Sequence, residues 1–270
     1  METQREMHAR LRQANNQLSW KLFGEKKDEM PSAKETHYFE LLNGADLLRP
    51  GTQVADLGGG LSVFAPLLTG MGLKAMVVDD FAGGGGVERE RRDDALKLLD
   101  KYRSVGVEIV EHDLLKPPLP LPDQSVDVVT CIHCLEHWHH SPKPVFEEIR
   151  RILKPRGHLL LVTPNAVNLR KRLAVICGRT NHAPLTSWYE EVVWRGHVRE
   201  PVVRDLQQLL EWNDFELLAT TGRNFIGRQS IALKSLPPVV SKTLGGLSEP
   251  ILKFFPSLCS DIHVLGRLRK

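Results

Sequence analysis

Val54-Ala55-Asp56-Leu57-Gly58-Gly59-Gly60-Leu61-Ser62 is the stretch on which the reading of this 270-residue chain turns. An apolar run that stops at an acidic residue and a run of glycines reads as a buried parallel strand entering a tight turn. Glycines there let the backbone approach a ligand closely, because no Cβ intervenes. The next run, Lys74-Ala75-Met76-Val77-Val78, ends in Asp79-Asp80 and puts a carboxylate at the C-terminal end of the neighbouring strand. In an open α/β sheet nucleotides bind at that edge, and an acidic residue about 20 positions beyond the turn takes the ribose hydroxyls. A glycine turn alone says little. Flanked by one acid before it and another after it, it points to a nucleoside site.

Outward from the turn, apolar runs alternate with stretches of helical spacing. Strands are predicted at Gln53–Leu57, Ala75–Asp79, Val107–Glu111, Val126–Cys131, His158–Thr163, Phe215–Thr221 and Ile262–Leu265. Helices are predicted at Leu61–Thr69, Val87–Tyr102, Pro144–Leu153 and Val202–Trp212. Such alternation belongs to a parallel sheet with helices on both faces. Residues 1–50 read as a helical, polar N-terminal extension broken at Met30-Pro31-Ser32, and residues 51–270 as one α/β domain. Two long inserts, at about 165–200 and 224–260, interrupt it after the fifth strand. Loops longer than about 15 residues in compact domains are usually functional or disordered, so both inserts are expected to cap the substrate edge.

Composition sets outer bounds. With 41% hydrophobic residues the chain can bury a full α/β core. A formal charge of +3 does not argue for nucleic acid. Four cysteines without framework spacing point to a reducing, cytoplasmic compartment. The charged start, Met1-Glu2-Thr3-Gln4-Arg5-Glu6, lacks the apolar segment of a signal peptide. No stretch approaches the roughly 18 apolar residues of a membrane span.

Two nucleoside cofactors suit the turn. A dinucleotide fingerprint wants glycine at its first, third and sixth positions; Gly58 and Gly60 supply two, and Val63 takes the sixth. Asp56 is badly placed beside a pyrophosphate and well placed beside a cation, and S-adenosylmethionine carries a sulfonium and an ammonium and no phosphate. Here the chain resembles the class I S-adenosylmethionine-dependent methyltransferases, whose first motif is strand, acid, then glycine-rich turn. Ser62 stands where that family has a third glycine. The resemblance covers about Tyr38 to Thr221. It includes Asp127-Val128-Val129-Thr130-Cys131, Leu135-Glu136-His137 and the helix-turn-strand from Glu147 to Leu161, with Arg156 in place of a usual glycine. Thr163-Pro164-Asn165 resembles the branch that methylates small molecules, quinone precursors and sugars, and Gly196-His197-Val198-Arg199 is similar to a stretch near its substrate cap.

The resemblance implies a Rossmann-like, doubly wound, mostly parallel seven-stranded sheet with an antiparallel last strand, and S-adenosyl-L-methionine as cofactor. Asp56, Gly58, Gly59 and Gly60 would hold its methionine end. Asp79, with Asp80 as the competing residue, would take the ribose, while Asp113 and Leu114 would meet the adenine. Cys131 and His133 would line the pocket wall.

Methyl transfer needs alignment of acceptor, methyl and sulfur, and a base when the acceptor is a hydroxyl. His137, just beyond the fourth strand, is the candidate base because its ordinary pKa lies near the working pH; His197 would orient the acceptor. Cys131 and Cys134 make a tempting zinc pair, but no second pair completes a structural site, and no metal is expected. His133 stands where quinone-precursor relatives carry a metal-binding acid. Trp188, Tyr189, Trp194, Arg195 and His197 suggest a platform for a sugar or aromatic ring. Phe254, Phe255 and Leu258, near the basic C-terminal residues, would rest on a membrane if the acceptor is lipid-linked. The expected partner is therefore a small-molecule or glycan acceptor with peripheral membrane contact, and no nucleic acid. The residues leave other readings open: a cofactor-binding regulatory protein without turnover, or transfer to a nitrogen or to RNA.

Overall fold

Seven strands form one sheet in the order β3-β2-β1-β4-β5-β7-β6. They are β1 (Gln53–Leu57), β2 (Lys74–Asp79), β3 (Glu108–Glu111), β4 (Val126–Ile132), β5 (Leu153–Pro164), β6 (Phe215–Arg223) and β7 (Asp261–Leu268). All run parallel except β7, which is antiparallel to both of its neighbours. The computed structural model describes residues 2–24, 30–81, 92–190, 194–224 and 254–270. The run Gly83–Gly86, the predicted start of a helix at Val87 and most of the second insert lie outside those residues.

A sheet covered on both faces makes its strands apolar without a polar side, and β5 illustrates how. Leu160 and Val162 enter one core cluster while Leu159 and Leu161 enter the other, following the two-residue period of a strand. The first cluster packs under α1 (Gln4–Phe23), α2 (Ala33–Gly44), α3 (Phe64–Gly70) and α4 (Arg92–Ser104). The second packs under α5 (Lys143–Ile152) and α8 (Val203–Trp212).

The N-terminal residues are less polar in the fold than in the sequence. Thr3 and Glu6 form a reciprocal capping box that starts α1. Met7, Leu11, Ala14 and Leu18 then recur at helical spacing and are buried in the same core as β1. Gly70 of α3 gives them room: a Cβ there would stand 3.0 Å from Leu18 Cδ1 and 3.1 Å from the Ala14 Cβ. Arg10 donates to the carbonyls of Leu48 and Met71 at 3.0 and 3.1 Å, tying α1 to the chain on either side of β1.

Three local expectations shift. Helix α3 begins at Phe64 rather than Leu61, because the turn runs on and the Ser62 hydroxyl accepts the Phe64 amide at 3.1 Å. Lys154-Pro155-Arg156-Gly157 belongs to β5, since Leu153 already pairs with Val126; Arg156 takes a left-handed φ of 63°. Finally, β7 carries Asp261 to the cleft edge, opposite Pro164, and Arg267 to the far edge, where it pairs with Glu216. Phe254 and Phe255 therefore do not share an edge with the basic C-terminal residues, contrary to the reading above. The antiparallel direction of β7 separates them by the length of a strand.

Candidate functional site

A cleft of about 330 Å³ opens at the C-terminal ends of the parallel strands, where β1 connects to one side of the sheet and β4 continues on the other. The turn after β1 forms its floor. Gly58 sits at φ 70°, and a Cβ there would lie 2.1 Å from Cys134 Sγ, so neither backbone nor space admits a side chain. A Cβ at Gly59 would collide with Asp56 Oδ2 at 2.2 Å. Asp56 itself is buried beneath the turn and accepts the Thr130 hydroxyl at 2.6 Å. Burial pushes its pKa up to about 7, against the Thr130 hydrogen bond, with the Asp79 charge adding to the rise. Asp56 thus supports the methionine-side turn from below and does not line the cleft.

Asp79 ties the turn to β2. Its Oδ2 accepts the Gly60 amide at 3.1 Å and its Oδ1 accepts the Phe81 amide at 2.6 Å. Burial raises its pKa, and Asp80 adds to the rise. Both aspartates line the cleft, as do Asp113 and Leu114. Burial pushes the Asp113 carboxyl up, but the Leu115 amide and Lys116 outweigh it and the net shift is downward. Of the β4 residues expected at the wall, His133 lines the cleft, with Ile132 and Cys134 beside it. Cys131 does not. It is fully buried in the second core cluster, one residue inside the C-terminal end of β4.

The acceptor side assembles around a short 3-10 turn, Leu135–His137. Glu136 is fully buried, and neither carboxylate oxygen accepts a hydrogen bond among the described residues. His133 Nδ1 stands 3.5 Å from it, and His133 Nε2 stands 3.6 Å from Asp261 Oδ2, so one imidazole lies between two buried carboxylates. The Tyr38 hydroxyl is 3.5 Å from the same ring. The first insert comes back over this turn. The Val198 and Arg199 amides donate to the Glu136 carbonyl, and this return brings His197 to His137 with ring centroids 4.9 Å apart.

Tautomers follow from the partners. A carbonyl only accepts, so His137 Nδ1–H donates to the Arg195 carbonyl at 2.9 Å, which leaves the lone pair of the neutral ring to Nε2. His197 Nδ1 meets Glu200 at 2.7 Å, and Glu200 also pairs with Lys171. Burial lowers the His197 pKa, opposed by Glu136 and assisted by His137, Lys171 and His133. Burial likewise brings Lys171 down to about 8. Glu136, His137 and His197 each offer one donor atom, and these atoms lie within 4.8 Å of one another. They are the trio among the described residues that could hold a divalent cation, at a place where the sequence led us to expect none.

The aromatic platform does not form as anticipated. Arg195 lines the cleft, but Trp188 and Tyr189 are exposed to solvent and are not among its lining residues. The Trp194 ring instead packs on Gly196, where a Cβ would come within 2.1 Å of it.

The cleft fits a compact cation-bearing nucleoside. Its floor is backbone, three carboxylates line its nucleoside side, and Arg195 is the only lysine or arginine among the described lining residues. A pyrophosphate would meet carboxylates with no cation at the turn; a sulfonium and an ammonium would meet complementary charge.

Residues 55–161 match the methyltransferase domain family. These residues carry a methyltransferase domain. S-adenosylmethionine is its cofactor. The probable methyltransferase PMT7 of Arabidopsis thaliana is 30% identical over 132 residues, 48% of this chain and 20% of that protein. The sterol 24-C-methyltransferase ERG6B of Gibberella zeae is 31% identical over 131 residues, 46% of this chain and 30% of that protein. The chain spans about a fifth of the length of the plant relatives it matches. Among solved structures, an S-adenosylmethionine-dependent methyltransferase of Mesorhizobium loti superposes with a TM-score of 0.52 at 18% identity, over 85% of this chain and 96% of that one. The methyltransferase domain is thus supported by sequence, and its fold by structure.

Tyr38, Glu136, Asp261, Lys171 and Glu200 were not singled out as site residues. Glu136 had a legible signal, a carboxylate directly before His137. Tyr38 and Asp261 had none, because they reach His133 from α2 and β7, far from the motifs in sequence.

Proposed function

We propose that the chain transfers the methyl group of S-adenosylmethionine to a hydroxyl of a small molecule, with a sugar or a glycan- or lipid-linked intermediate as the acceptor class. The observation that carries this reading is the His137 tautomer. Its Nδ1–H is committed to the Arg195 carbonyl, and the ring lines the same cleft as the glycine turn. With Nδ1 so engaged, the neutral form of the ring carries its lone pair on Nε2, which is what removing a hydroxyl proton requires.

The bound cofactor supplies a methyl group on a positively charged sulfur. Gly58–Gly60 and Asp79 hold its nucleoside and methionine parts, and Asp113 with Leu114 bounds the adenine end. His137 takes the acceptor proton at Nε2, and the imidazolium so formed lies in the field of the buried Glu136 carboxylate. His197, fixed by Glu200, orients the acceptor. Four free cysteines support a cytoplasmic setting as part of the same proposal, and the mixed charge of the lining supports a small acceptor over a nucleic acid.

The test is incubation with methyl-labelled S-adenosylmethionine and a panel of hydroxyl, amine and RNA acceptors, for the wild type and His137→Ala. Transfer to a hydroxyl acceptor, reduced about 10²–10⁴-fold in the variant with its alkaline-rising pH limb removed, is the expected result. Transfer confined to amines or RNA would overturn the acceptor class. Cofactor binding without any transfer would favour a regulatory protein.

A further inference from the structure

Helix α6 (Leu169–Ile176) has its polarity reversed relative to an ordinary surface helix. It begins at Asn168, whose side chain accepts the Lys171 amide, and it buries none of its own residues. Lys171 marks its inward face: its side chain is only 11% exposed and is held by Glu200. At 3.6 residues per turn, Leu169, Leu173 and Ile176 share the opposite face. They are 42%, 54% and 80% exposed, so the apolar stripe points away from the protein. Arg170 and Arg172 fall on the two flanks of that stripe and are exposed.

A soluble helix turns its apolar stripe inward. An apolar stripe facing out between basic flanks is the pattern of a helix lying in a membrane interface. The charge of the whole segment agrees with that reading: residues 165–189 contain Arg170, Lys171, Arg172 and Arg179 and no acidic residue. Exposed aromatics stand in adjoining segments, Trp188 and Tyr189 in α7 (Leu185–Glu190) and Phe254 and Phe255 before the turn at Pro256–Leu258. Arg172 donates to the Ser257 carbonyl at 3.2 Å, which ties that turn to α6. No helix among the described residues is long and apolar enough to cross a membrane.

We propose that α6 docks the protein on an anionic bilayer surface, with Leu169, Leu173 and Ile176 entering the headgroup–acyl boundary and Arg170 and Arg172 meeting lipid phosphates. The inference deepens the acceptor reading above, because Lys171 and Glu200 join the inward side of the same helix to His197, which packs on the cleft-lining His137. A lipid-linked hydroxyl could then be presented from that surface.

The experiment is co-sedimentation of the full chain with vesicles of phosphatidylcholine alone and with vesicles in which part of it is replaced by phosphatidylserine. It needs neither cofactor nor acceptor, so docking without transfer would separate this inference from the proposed reaction. The wild type is expected to pellet with the mixed vesicles and to be released by salt. Leu173→Asp/Ile176→Asp should bind about tenfold or more weakly, while its circular dichroism and cofactor affinity stay at wild-type values. Arg170→Ser/Arg172→Ser should lose the preference for phosphatidylserine. Three results would each overturn the proposal. The wild type could fail to pellet with either vesicle, or the aspartate variant could pellet as well as the wild type. Light scattering could instead show a dimer that the aspartate variant dissolves while neither protein binds vesicles, which would make the stripe a contact between copies of this chain.

Discussion

Replacing Asp56 with asparagine should stabilise the folded protein, and the gain should depend on pH in a defined direction. Burial beneath the glycine turn lifts this carboxyl from an ordinary 3.8 to about 7. Below the lower value both folded and unfolded chains hold the proton, and nothing is lost. Between the two values the folded chain keeps a proton that the unfolded chain releases, so stability falls as pH rises; above the upper value the loss is complete. At about 1.4 kcal/mol per pKa unit the full penalty is about 4 kcal/mol, an upper bound because a buried site relaxes. Asparagine keeps the volume and an oxygen for the Thr130 hydroxyl but carries no charge. Urea unfolding of both proteins across the pH range should show a difference near zero at about pH 4 that grows in favour of the variant toward about pH 8. Binding of a cationic cofactor should also expel the Asp56 proton in the wild type below neutrality, readable by calorimetry in buffers of different ionisation enthalpy. A difference that stays flat with pH, or proton release that persists in the variant, would refute the burial argument.

Two further substitutions probe other parts of the molecule. Asp79→Ala should weaken S-adenosylmethionine and its demethylated product by about 1–3 kcal/mol in calorimetric titration, with some loss of melting temperature because the Gly60 and Phe81 amides lose their acceptor; unchanged affinity would move the ribose contact to Asp80. Leu11→Ala should cost about 2–5 kcal/mol in denaturant unfolding as a cavity opens between α1 and the core, and a cost under about 0.5 kcal/mol would make α1 a dispensable appendage.

The sheet was legible because each strand carries its own signal. Val54–Leu57 and Lys74–Val78 are apolar runs closed by acids, and β5 is a long apolar stretch; no distant contact is needed to read them. Glycines at 58 to 60 were legible for the same reason, since a left-handed turn advertises itself locally. The cap was only partly so. His197, expected to orient the acceptor, lies beside His137, but its support from Glu200 and Lys171 depends on how α6 folds back. The aromatic platform failed because Trp188 and Tyr189 read as binding residues by type, while their direction is set by a helix end that sequence does not orient. Cys131 stays inside β4 and is buried, while Ile132 ends the strand and His133 follows it at the opening, a boundary that the apolar run does not mark. Arg156 shows the opposite case, a residue expected to be tolerated in place of glycine that adopts the left-handed conformation glycine favours.

The two walls of the cleft have different genealogies within the chain. The cofactor wall comes from one continuous stretch, Gly58 to His139, inside the residues that match the family. Facing it are Arg195 of the first insert, which lines the cleft, and residues that back the lining histidines: His197 beside His137, and Tyr38 from α2 with Asp261 from β7 beside His133, all outside the matched residues. Inherited donor chemistry is thereby uncoupled from acceptor choice. Substitution in this patchwork can retune what is methylated while the donor wall is left intact, and laboratory evolution aimed at a new acceptor has its natural library in those few scattered positions.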